Sequence, residues 1–285
     1  MLCSMPHSIT DEPGPLTGTA VVSLAVNIPG PLAAARLAAL GAAVTKVEPP
    51  QGDPLAAGAP GWYRQLVERQ RVVALDLKEH DGGARLDALL ADADLLLTAM
   101  RPSALARLGL SDAVRRHGLA HVEIVGHAGE AAEHPGHDLT YQAAHGTLAP
   151  PALPRVPVVD LLGAERAVSA ALLALRARER GGESHVRVVL EEAAHDAAGP
   201  VRFGLTSPGG LLAGGLPGYA VYRTADGFVA VAALEPAFAE RLAVHVGRTA
   251  HELAARFAGA PSDHWERLGR RLDIPIVAVR GPGGG

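Results

Sequence analysis

With 285 residues, 48% of them hydrophobic, the chain can bury a sizeable core in one large domain, or in a large and a small one. Aromatic residues make up only 4%, so Leu, Val and Ala must fill that core, which favours helices packed closely on a sheet. A net charge of −4 with interspersed signs excludes a basic nucleic-acid surface, and the apolar runs are broken by Arg, Asp or Gly well short of a membrane span.

Residues 1–18 read as a flexible leader. They carry Asp11 and Glu12, lack a continuous apolar stretch, and do not form a secretory signal. The single cysteine, Cys3, lies there and has no partner for an internal disulfide, which fits a reducing, cytoplasmic setting.

Along the chain, Thr19 to Leu24 predicts a strand, and the turn Asn27 to Pro31 leads into an apolar helix ending near Gly41. Val44 to Val47, Val72 to Leu77, Asp94 to Thr98 and Ala120 to Val125 predict further strands, with a helix over Gly83 to Leu90. A long helix follows from about Leu161 to Arg178, then a strand over His185 to Val189 and a helix near Glu191 to Ala197. This alternation predicts an α/β fold with a mostly parallel sheet in a large domain over residues 19–200. Past Pro200 the composition changes. Glycine-rich segments at Ser207 to Gly210 and Gly214 to Gly218 precede a hairpin, Tyr219 to Arg223 and Phe228 to Ala232 around Thr224-Ala225-Asp226-Gly227, and two or three helices end the chain. Residues 201–285 therefore read as a smaller α+β domain.

Several segments resemble, in order, those of one family. Pro29-Gly30-Pro31, Leu40-Gly41-Ala42 and Lys46-Val47-Glu48-Pro49 are similar to an opening "AGP…LGA…KVE" pattern. Ala74 to Lys78 matches "ALDLK", and Arg101-Pro102 to Leu108-Gly109-Leu110 matches "RPG…LGL". Gly136-His137-Asp138, Val159-Asp160 and Leu234-Glu235-Pro236 complete the series. On these segments the chain resembles the type III CoA-transferase superfamily (the CaiB/BaiF family), which includes formyl-CoA transferase, carnitine CoA-transferase and α-methylacyl-CoA racemase.

The resemblance implies a Rossmann-like large domain and a homodimer of interlocked subunits, whose active site combines one subunit's large domain with the other's small domain. Family members continue well beyond the point where this sequence stops, so the interlocking is expected to be altered or completed by a partner. The implied substrates are acyl-CoA and a carboxylic acid, with no metal, no redox cofactor, no nucleic acid and no membrane.

Asp160 follows the apolar run Val156 to Val159 and precedes a helix, and the residues alone leave two readings open. It caps the helix N-terminus, or it is a reactive carboxylate. The resemblance assigns it the catalytic aspartate, a nucleophile that takes an acyl group from a thioester and then carries CoA. Gly136-His137-Asp138 matches the racemase form of the motif, in which the histidine and the aspartate exchange a proton across the substrate α-carbon. Glu235 matches the glutamate that orients that histidine, although Pro236 after it also suits an ordinary helix start. The residues around Asp160 pull the other way. Val156 stands where racemases carry asparagine, and Leu161-Leu162-Gly163 where they carry a run of glycines.

Lys46, Arg71, Arg101 and Asp138 match positions near CoA, yet the segment before Arg71 departs from the family pattern. Gly209-Gly210 and Gly214-Gly215 fall where transferases carry a loop that shields the acyl-enzyme. The leading expectation is a CoA-transferase using Asp160. A 2-methylacyl-CoA racemase using His137 and Asp160 is the alternative, and a catalytically weak binding or regulatory subunit is a third.

Overall fold

The computed structural model describes residues 14–281. Cys3 and most of the expected leader lie outside them. Within the described residues the chain divides between Ala198 and Gly199 into two compact units.

The first unit runs β1 (Ala20–Ser23), α1 (Pro29–Ala39), β2 (Ala43–Glu48), α2 (Pro54–Gly58), α3 (Pro60–Val67), β3 (Arg71–Ala74), α4 (His80–Ala91), β4 (Leu95–Thr98), α5 (Pro102–Arg107), α6 (Leu110–His117), β5 (Ala120–Val125), α7 (Asp138–Ala144), α8 (Val158–Glu179), β6 (His185–Val189) and α9 (Leu190–Ala197). Among the described residues, six strands form one parallel sheet in the order β3-β2-β1-β4-β5-β6. Strands buried on both faces lose the in–out alternation of polarity and read as continuous apolar runs. Leu95, Leu96 and Leu97 in β4 are all 0% exposed, each burial contributing about 2 kcal/mol before chain entropy is counted.

The low aromatic content has its structural counterpart on one face of the sheet. There α1 and α8 pack through fully buried alanines, Ala33 and Ala34 with Ala164, Ala167 and Ala171, whose small side chains let helix and sheet approach closely. The other face is covered by α4 and α6 through Leu86, Leu90 and Leu110. Helices α2, α3 and α5, which fall in segments read as loops or left unassigned in the sequence, each begin on proline, a residue suited to the first helical position because that turn needs no N–H there.

The second unit comprises α10 (Gly199–Arg202), β7 (Tyr219–Arg223), β8 (Phe228–Ala232), α11 (Pro236–His245), α12 (Ala250–Ala258), α13 (Ser262–Leu272) and β9 (Ile276–Ala278). β7 and β8 form the expected hairpin, and β9, unassigned from sequence, pairs antiparallel with β8. Its core is the aromatic cluster Tyr222, Phe257 and Trp265, with Trp265 Nε1 donating to the Phe257 carbonyl at 3.0 Å. The glycine-rich stretch coils on itself. Gly210 N donates to the Ser207 carbonyl at 2.7 Å and Gly215 N to the Gly210 carbonyl at 2.9 Å. A side chain at Gly210 would meet the Gly204 carbonyl oxygen at 2.2 Å, so the coil needs glycine there. Among the described residues no helix is long and apolar enough to cross a membrane.

Candidate active site

Parallel sheets of this order carry a crevice where neighbouring strands send their connections to opposite faces, here between β1 and β4. A cavity of about 280 Å³ opens there, at the carboxyl ends of the strands. Its wall includes Asn27 after β1, Arg101 after β4 and Gly126 after β5. His137, Tyr141 and Asp160 also line it, brought in by α7 and α8.

Asp160 is not the cap of its helix. α8 begins three residues earlier than the leucine-based reading, with Pro157 in the capping position, and Asp160 sits in the first turn. The capping is done from another element. Asp138 Oδ1 accepts the main-chain N–H of Val159 at 2.8 Å and of Asp160 at 3.2 Å, while Oδ2 accepts Gln142 Nε2 at 2.6 Å. Asp138 therefore uses the free donors that would have steadied a charge on Asp160. Burial raises the Asp160 carboxyl from the ordinary aspartate range to about 7, and the negative charge of Asp138 adds to that rise.

Asp138→Asn keeps an oxygen for the helix N–H groups and removes the like charge. The Asp160 titration, followed by carboxyl ¹³C NMR, should move down but stay above the usual carboxylate range, because burial is the larger cause. An unmoved midpoint would show that Asp138 has no electrostatic hold on Asp160.

Asp138, expected near CoA, is thus buried with both oxygens engaged inside the protein and does not line the cavity. Lys46 is buried as well. Its ammonium is 0% exposed, 2.7 Å from Asp53 Oδ2 and 3.1 Å from Glu48 Oε1, and it donates to the Ala25 carbonyl at 3.2 Å. A phosphate could reach it only by breaking that buried network. The network instead shapes the cavity wall. Asp53 Oδ1 accepts the Asn27 N–H at 3.1 Å, where Asn27 holds a φ of +69°.

Arg101 is exposed in the cavity wall. Arg71 opens the edge strand β3, exposed and outside that wall. His137 is exposed at the start of α7. Its N–H donates to Thr140 Oγ1 at 3.0 Å, and the Thr140 hydroxyl donates back to its carbonyl at 2.8 Å. Glu235 belongs to the second unit, exposed immediately before α11. Tyr141 is the cavity residue that the motif-based reading missed. The available signal was its spacing, since it stands one helical turn beyond His137.

The arrangement brings a carboxyl raised toward neutrality, an imidazole and an arginine to one cavity. The family described as "CoA-transferase family III" matches residues 16–281. The chain is similar to human alpha-methylacyl-CoA racemase, with 30% identity over 90% of this chain and 70% of the relative. It is also similar to succinate–glutarate CoA-transferase of Agrobacterium fabrum, with 29% identity over 79% of this chain and 65% of the relative. Among solved structures, a hypothetical protein from Mycobacterium tuberculosis shares the fold with a TM-score of 0.79 at 24% identity, over 95% of this chain and 86% of that one. A CaiB/BaiF family protein from Brucella suis gives a TM-score of 0.79 at 20% identity, over 96% and 86%. The chain belongs to CoA-transferase family III, the superfamily of CoA-transferases and acyl-CoA racemases.

Proposed function

We propose that this protein moves a proton at the α-carbon of an acyl-CoA thioester, interconverting 2-methyl epimers, with Asp160 and His137 as the acid/base pair. The observation that carries this reading is that His137 and Asp160 line one cavity. A carboxyl raised to about 7 supports it further, because a general acid/base works best with a pKa close to the operating pH. The α C–H bond breaks as one group takes the proton, the electron pair moves into the thioester to form an enolate, and the other group returns a proton from the opposite face. Relatives that include racemases at about 30% identity are consistent with this. Arg101 is proposed to meet a phosphate of the substrate. Asp138 and Lys46 are proposed as positioning residues.

A second reading, CoA transfer through an Asp160 anhydride and thioester, has a specific observation in its favour. Among the described residues no side-chain hydrogen bond reaches the Asp160 carboxylate, so its oxygens stay free to attack, and Val156 stands where an amide would support proton transfer. The test separates the two. On incubation with 2-methylacyl-CoA in D2O, the recovered thioester should gain one deuterium, and borohydride should trap no adduct on the protein. A trapped Asp160 adduct with the α-hydrogen retained would replace this reading by transfer.

A further inference from the structure

We infer that the Tyr141 hydroxyl is the hydrogen-bond donor that meets the thioester oxygen as charge develops on it, in a slot kept open by Gly126 and Gly136. This deepens the proposed thioester chemistry and rests on it. Tyr141 is 2% exposed, yet its hydroxyl has no hydrogen-bond partner among the described residues. The hydroxyl is not sealed inside the protein but opens on the cavity, where a bound group can accept from it.

Its surroundings leave the hydroxyl at the cavity wall. A side chain built at Gly126 or at Gly136 would come within 2.3 Å of Tyr141 Oη, and both glycines line the same cavity as Asp160. The ring is held from behind. His127 packs edge-on against it, with centroids 5.3 Å apart, and His127 Nδ1 is fixed by Glu191 Oε2 at 2.7 Å. Burial, with the charges of Asp160 and Glu191, raises the phenol to about 12, so it stays protonated and able to donate at neutral pH.

The chemistry needs such a group. When the α-proton leaves, the electron pair settles on the thioester oxygen. A preorganised donor lowers that barrier without itself losing its proton. The same donor would serve a tetrahedral oxyanion if the carboxylate attacked the carbonyl carbon.

Tyr141→Phe tests this. Expected are a fall in kcat of about a hundredfold, an unchanged affinity for an alkyl-CoA thioether that lacks the carbonyl oxygen, and a Tm no lower than wild type. The last follows because no protein hydrogen bond is lost. Gly136→Ala, which pushes the ring out of its slot, should lose kcat as well. An unchanged kcat in Tyr141→Phe, or a thioether affinity that falls in step with kcat, would overturn the inference. Wild-type protein that leaves every acyl-CoA unaltered would instead overturn the underlying reading and this inference with it.

Discussion

Asp160→Asn should lower turnover of acyl-CoA by about 10³-fold, because an amide neither takes a proton from the α-carbon nor attacks a thioester. The same replacement should leave the protein more stable above neutral pH. The Asp160 carboxyl titrates near 7 in the folded protein against an ordinary value of 3.8, so the folded state holds a proton that the unfolded chain has already released between those values. Stability from this group is fully present below about 4 and is lost as pH rises through about 7. The full shift corresponds to about 4 kcal/mol, and water entering through the cavity reduces it to the order of 2 kcal/mol. Thermal melts of the variant and wild type should therefore coincide near pH 4 and separate at pH 8, with the variant higher. A variant that melts lower at pH 8 would mean that Asp160 contributes a stabilising contact rather than a strained charge.

The second large effect belongs to a residue that the family resemblance placed near CoA. Lys46→Ala would strand two buried carboxylates, Asp53 with a side chain 0% exposed and Glu48 at 9%. Breaking a buried pair by removing one partner costs about 3–5 kcal/mol, which for a domain of this size is a Tm lower by about 10 °C. The loss should spread to the cavity, since Asp53 fixes Asn27 and Lys46 fixes Ala25 at the turn between β1 and α1. A variant with wild-type Tm and weakened CoA binding would reverse this assignment and return Lys46 to the ligand.

The parallel strands were legible because burial on both faces leaves continuous apolar runs such as Leu95 to Leu97, and the β7–β8 hairpin because Asp226-Gly227 closes it. Helices α2, α3 and α5 were passed over although each opens on proline, because they are too short to build a periodic pattern. The start of α8 is hard to read because Pro157, Val158 and Val159, ahead of Asp160, continue the apolar, extended-looking run that begins at Val156.

The partnerships at the cavity were harder to read. Asp138 caps a helix that begins twenty residues later in the chain, a contact set by tertiary packing rather than by local spacing. The pairing of Lys46 with Glu48 and Asp53 is not legible in the motif, which carries residue type but not burial. Tyr141 is not legible in the sequence because an aromatic residue on a helix is most often simply core, and only the place of its hydroxyl at the cavity wall, against Gly126 and Gly136, sets it apart.

The most direct test is to offer the protein a single enantiomer of a 2-methylacyl-CoA, with a carboxylic acid acceptor present, and to follow both the configuration at C2 and the fate of CoA. The account predicts conversion to the opposite enantiomer with loss of the α-hydrogen to solvent, abolished by either His137→Ala or Asp160→Asn. Transfer of CoA to the acceptor with C2 configuration and hydrogen retained would contradict it.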